Sequence, residues 1–150
     1  MKYYTSTGLG RVYTLRINPG EDMLKEIEKF IEESGLKYGA ILTGLATFKR
    51  CTLHMVTTTG YPAVEHFETW DDKPLELSAI SGVIADGVPH IHMVVSDKEY
   101  AYSGHCEPGC IVLYLCEIVI AEIIDGNFKR IKDQHGINQL VGIDEDSISE

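Results

Sequence analysis

Long apolar runs are missing from this 150-residue chain. None approaches the ~18 residues that cross a bilayer as a helix, so no membrane partner is expected. Positive charge is scarce: 13 Lys and Arg stand against 23 Asp and Glu, for a formal net charge of −10. Nucleic-acid affinity comes largely from neutralising phosphates, and no run of Lys and Arg offers that here. The first residues, Met1-Lys2-Tyr3-Tyr4-Thr5, lack an apolar signal core and read as no export signal. Cysteine is limited to Cys51, Cys106, Cys110 and Cys116. Without an export signal these read as free thiols in a reducing, cytoplasmic compartment. Cys106 and Cys110 are four apart, which is not a usual zinc-knuckle spacing, and no second pair follows. Buried or turn thiols are the expectation, with an auxiliary metal contact or a disulfide as the other readings. A phosphate loop is excluded too: no helical pattern follows Gly8 and Gly10.

What is present suits one domain. A chain of this size buries roughly 68–70% of its unfolded surface. Its 44% hydrophobic and 24% charged residues are ordinary globular values. Residues 1–142 read as a single domain, and residues 143–150, acidic with little to bury, as a flexible tail. Residues 11–17 alternate imperfectly, as a strand does, up to Asn18-Pro19-Gly20. Residues 21–34 read as the main helix, with Met23, Leu24, Ile27, Phe30 and Ile31 on one stripe. Glu21 and Asp22 fall in its first turn, and Gly35 suits a left-handed cap. Strands are expected over residues 38–45, 51–58, 63–69 and 75–84, the last ending at Asp86-Gly87. Gly39 and Gly44 suggest a bulge or a close backbone approach. Residues 110–124 are the longest apolar stretch and too β-branched for a comfortable helix. Residues 128–131 read as a short strand or a turn. One helix among seven or eight strands gives an α+β domain with a mainly antiparallel sheet.

The chemistry concentrates in Gly87-Val88-Pro89-His90-Ile91-His92, followed by Gly104-His105. In a strand, side chains at i and i+2 share a face, so His90 and His92 project together. A two-residue turn at Asp97-Lys98 would set Ser96 opposite Glu99 and His90 opposite His105. Three imidazoles would then converge, which is how a divalent metal is held with a position left open. A one-residue change in turn length would send His105 to the other face. The plainer reading is a polar cluster hydrogen-bonded to carbonyls or to a neighbouring subunit. Glu117 interrupts the apolar run Ile111-Val112-Leu113-Tyr114-Leu115-Cys116. It is the candidate catalytic acid or base, or a group that orients a histidine; the competing reading is an ion pair at a strand edge or subunit interface. His54 and His66 read as sheet-surface or interface residues, His135 as an exposed loop residue, and Trp70 as packing where a strand ends.

Several of these segments together resemble the plant-and-prokaryote-conserved (PPC) domain. They are residues 15–22, Gly39-Ala40-Ile41-Leu42-Thr43-Gly44, residues 77–84, Gly87-Val88-Pro89-His90-Ile91-His92, Gly104-His105 and Cys116-Glu117-Ile118-Val119-Ile120. They occur in the family's order over roughly residues 11–135, and Gly-x-Pro-His-x-His followed by Gly-His is the most specific. The resemblance implies an α+β homotrimer related in fold to acetolactate decarboxylase, a zinc enzyme. It also implies a metal site, zinc, at His90, His92 and His105. Plant relatives join the domain to AT-hooks, and prokaryotic relatives carry a DNA-binding label by that association. The AT-hook core, Arg-Gly-Arg-Pro, is absent: Arg11, Arg16, Arg50 and Arg130 are scattered. Two functions stay open. One is a metal-binding homotrimer, enzyme or small-ligand binder. The other is a non-catalytic module, DNA-associated or an assembly unit.

Overall fold

The structure is a computed structural model and describes residues 1–144. The element order is β1 (Gly8–Ile17), α1 (Met23–Ser34), β2 (Gly39–Val56), β3 (Glu65–Trp70), β4 (Leu75–Ala85), β5 (Val88–Ser96), β6 (Ala101–Cys106), β7 (Ile111–Ile124), β8 (Phe128–Lys132) and β9 (Asn138–Gly142). Seven strands make one sheet in the order β1-β7-β2-β4-β5-β6, with β3 added against β2. All strand pairings are antiparallel, and α1 is the one helix among the described residues. The α+β expectation holds. The expected mobile tail, 143–150, lies outside the described residues from 145 onward. No helix among the described residues is long and apolar enough to cross a membrane.

The helix starts later than its sequence pattern implied. Asp22 is its N-cap, with Oδ1 accepting from Leu24 N at 3.2 Å, which satisfies a donor the first turn leaves open. Asp22 Oδ2 accepts from Gly109 N at 2.7 Å, tying the helix start to the segment before β7. Glu21 lies outside the helix and accepts from Asn18 N at 2.7 Å. Met23, Leu24, Ile27 and Ile31 are buried as the stripe required. Gly35 closes the helix at φ 68°. The helix stripe belongs to one core cluster that also holds Phe48, Leu53, Ile91, Val95 and Ile118, all fully buried.

The two strands expected over 38–45 and 51–58 are one strand, β2, of 18 residues. The strand runs through the supposed gap although its alternation slips there: Ala46 and Phe48 are buried, Lys49 and Arg50 are both exposed, and burial resumes at Cys51 and Leu53. Register irregularities between Ile41 and Thr43, Ala46 and Phe48, and Phe48 and Arg50 let so long a strand bend. The first of these lies between Gly39 and Gly44, the glycines that suggested a bulge. The bend gives β2 different partners along its length. Its first half pairs with β4 and β7, and its second half with β3 and β6. Pairing β6 back onto β2 closes β2, β4, β5 and β6 into a ring. Outside the sheet, β8 and β9 form a two-stranded ribbon. The second strand of that ribbon, which carries buried Val141, was hidden in a polar sequence.

Candidate metal centre

The centre is built on two hairpins. Between β4 and β5 the turn is Asp86-Gly87, with φ of 47° and 80° and Ala85 opposite Val88. Two left-handed residues in a two-residue loop match the turn whose twist suits paired strands. From there β5 alternates. Ile91, Met93 and Val95 are buried in the core, so His90 and His92 must rise from the opposite face.

The second hairpin differs from its expected register. The structure pairs Ser96 with Ala101 and His92, not His90, with His105. Asp97 N donates to Tyr100 O at 3.0 Å, so the two turn residues are Lys98 and Glu99, one place later than expected. The cause is Asp97. Its Oδ1 accepts from Glu99 N at 2.6 Å and from Tyr100 N at 2.7 Å, the local bonding that places Asp at the start of a turn. Its Oδ2 takes Lys73 Nζ and the Tyr102 hydroxyl. Lys73 first, and then these backbone amides, hold the Asp97 carboxyl far below the usual carboxylate range. Moving a turn by one residue shifts strand partners by two, and an even shift keeps every side chain on its face. The three histidines therefore still converge.

His90 Nε2 and His92 Nε2 are 3.1 Å apart, with rings nearly parallel at 11°. The His105 ring stands at 84° to one and 85° to the other, with centroids 4.6 and 5.3 Å away. One nitrogen from each lies within 4.8 Å of the others. Two nitrogens bound to one tetrahedral ion at ~2.0–2.1 Å would be separated by roughly 3.3 Å, close to the His90–His92 spacing. Burial is the main cause lowering the His90 and His105 pKa values, His105 to about 4. Both are neutral at pH 7, the state that binds a metal. The residues present fit a divalent ion.

Ring closure adds a second group. His54 on β2 lies directly opposite His105 on β6, with ring centroids 4.6 Å apart. Gly104 permits that approach: a Cβ there would come within 2.6 Å of the His54 carbonyl oxygen. His54 Nδ1–H donates to Glu107 Oε1 at 2.6 Å, which leaves Nε2 as the basic nitrogen. His54, His105 and Glu107 also satisfy the spacing of a metal group. A cleft of about 470 Å³ runs along this side, lined in part by His54, Ala79, Ser81, His92, Ser103 and Gly104.

Glu117 is not brought to this cluster within the chain. It is exposed on β7, opposite Arg16 on β1 and Leu45 on β2. Leu45 and His54 are nine positions apart on β2, roughly 30 Å of extended strand. Glu65 Oε1 lies 3.8 Å from His54 Nε2, and the carboxylate hydrogen-bonded to the His54 imidazole is Glu107. Its signal was present in the sequence, since it stands at i+2 from His105, but the Pro108-Gly109 turn that follows disguised it. His54, expected on the sheet surface or at an interface, meets His105 because one long strand runs through the expected break to pair with β6. His66 pairs with Glu68 at 3.1 Å on the exposed edge strand, and His135 stacks on Tyr61. The four cysteines are free and buried. Cys110 Sγ lies 3.6 Å from Cys51 Sγ and 3.8 Å from Cys106 Sγ, beneath the strands that carry the histidines.

Known proteins share this fold. A metal-containing protein from Archaeoglobus fulgidus superposes with TM-score 0.79 at 21% identity, covering 94% of this chain and 99% of that one. A protein provisionally named DNA-binding, from Bacteroides thetaiotaomicron, gives 0.77 at 22%, covering 93% and 97%. The α-acetolactate decarboxylase of Bacillus subtilis strain 168 gives 0.53 at 20%, covering 75% and 52%. At these identities the likeness shows a shared fold, including the acetolactate-decarboxylase relation expected from sequence. Among curated sequences, the bifunctional protein GlmU of Synechococcus sp. (strain JA-3-3Ab) is 33% identical over 129 residues. Those residues cover 85% of this chain but only 20% of that protein, so the likeness is to one part of a longer polypeptide. The Plants and Prokaryotes Conserved (PCC) domain model, the PPC domain of the sequence resemblance, matches residues 4–124. Because that match spans most of the sequence, this chain belongs to the Plants and Prokaryotes Conserved domain family.

Proposed function

We propose that this protein binds one divalent metal ion, zinc, through His90, His92 and His105, and that it acts on or binds a small molecule at the ion's open position. The observation that carries the reading is the meeting of three imidazoles, with His90 and His92 at a ligand-pair spacing. When bound, the ion supplies Lewis-acid polarisation of an oxygen on the ligand. The chain supplies the rest. The carboxylate of Glu107 orients His54 and leaves its Nε2 to take a proton from a molecule lying in the adjacent cleft. The core beneath fixes the strands, so the ligand rings are held before any ion arrives.

The working form is a homotrimer. Leu42, Leu45 and Val83 are exposed on the sheet, and apolar side chains so placed favour association between copies. Sedimentation equilibrium should return three times the chain mass, and a monomer at micromolar concentration removes this part. For the metal, elemental analysis of purified protein should find about one divalent ion per chain. His92→Ala should lose it, and full metal content in that variant would overturn the site. The compartment proposed is the cytoplasm, in keeping with four unbridged thiols.

The second reading is a DNA-associated module, favoured by the name of the Bacteroides neighbour. A net charge of −10 works against it. In a gel-shift titration near physiological salt, binding should be no tighter than the non-specific range of about 10⁻⁴–10⁻⁶ M. A tight, sequence-selective shift would replace the first reading with this one.

A further inference from the structure

Arg130 has no part in the functions above, yet it reaches the same face. It belongs to β8, outside the main sheet. Its Nη1 donates to Val88 O at 3.2 Å and its Nη2 to Val83 O at 3.3 Å. Val83 lies directly opposite His90, and Val88 is two residues before it. The guanidinium is therefore pinned across the β4–β5 hairpin beside His90. It is half-buried, and its acceptors are carbonyls rather than a carboxylate, so its charge is not neutralised by the contacts that hold it. The two carbonyls use two of the fork's five N–H groups.

A half-buried guanidinium gives up part of its hydration, which its two carbonyl partners repay only in part. For metal binding alone it is a liability, because like charges repel. Both cations gain if one ligand brings negative charge to the pair. We propose that Arg130 is the specificity-determining residue of the site and that the ligand is a small molecule bearing a carboxylate. The carboxylate bridges the two cations, one oxygen at the open metal position and the other on the Arg130 fork. A planar fork matches a planar carboxylate. The inference deepens the metal-site reading and rests on it.

Cobalt-substituted protein separates the two claims, since bound Co(II) absorbs in the visible and responds to ligands at its open position. Wild type and Arg130→Gln should each take up about one Co(II) per chain. Acetate should perturb the wild-type spectrum with an apparent Kd at least tenfold tighter than in Arg130→Gln. Arg130→Lys should fall between them, because it keeps the charge and loses the fork. Acetamide, the neutral control, should show no dependence on residue 130, and methyl phosphate should bind no more tightly than acetate. Full cobalt uptake with the same acetate affinity in wild type and Arg130→Gln overturns the role of Arg130 and leaves the metal site standing. Methyl phosphate binding tenfold tighter than acetate overturns the carboxylate. No cobalt uptake by wild type overturns the metal site, and this inference with it. Equal thermal melting of the metal-free variants guards against misfolding as the cause.

Discussion

The two faces of β5 obey different rules. On one, Ile91, Met93 and Val95 are buried to within 2%, and close packing decides which residues are tolerated. On the other, His90 and His92 keep access to solvent, and their value lies in where their nitrogens point. Nine residues of backbone serve both. The lesson is a division of labour: the apolar face fixes the geometry that the polar face uses. Mutations on one face should cost stability, and mutations on the other should cost ligands.

The largest effect on stability should come from Ile91→Ala, which empties a fully packed position at a cost of about 2–5 kcal/mol. Urea unfolding measures it, and metal uptake by the fraction still folded should remain near one ion per chain. Next is Gly104→Ala. Its Cβ would press on the His54 carbonyl, forcing β6 from β2 at a cost of about 1–3 kcal/mol. This variant joins the two rules, since it should also weaken the pairing of His54 with His105; an unchanged His54 ring resonance by NMR would break the link. His92→Ala should lower metal-free stability by less than ~0.5 kcal/mol, the usual limit for exposed sites, while abolishing metal uptake. A large loss of stability there would mean that the two faces are not independent. Glu107→Gln should leave both stability and metal content near wild type and should release the His54 ring from its hydrogen bond, followed by the His54 ring resonances in NMR spectra.

The smallest effect should be the pH dependence of the metal-free protein. The His105 pKa is lowered to about 4 from 6.5. Between these values the unfolded chain binds a proton that the folded chain refuses, so this contribution is complete above pH ~6.5 and falls away as pH drops toward 4. Half-exposure mutes it. Thermal melts at pH 7, 5.5 and 4.5, compared with His105→Asn, isolate the slope.

Elements bound by local chemistry were legible in the sequence. The helix stripe, Gly35, the Asp86-Gly87 turn and the i, i+2 histidines each follow from a few adjacent residues. The face of His105 was right for an instructive reason: the turn was misplaced by one, and strand periodicity forgave an even shift. What escaped depends on distant closure. No local pattern says that one strand runs from Gly39 to Val56 and meets β6 at its far end, so His54 and Glu107 were not assembled. Glu117 was selected because a carboxylate broke an apolar run. The run belongs to a strand whose other face is open, and the carboxylate lies there. Arg130 was noted only as the absence of an AT-hook, since its position depends on a ribbon folding back over the sheet.

His105 is bracketed by neighbours in the β6 register, His92 on one side and His54 on the other. A strand closing a path of six would ordinarily offer a bare flank to which another chain could attach. At this seam that flank is already taken. The most reactive part of the molecule thus stands on backbone that amide exchange should find well protected. An open, adaptable chemistry is mounted on a length of chain that is hard to recruit into aggregates.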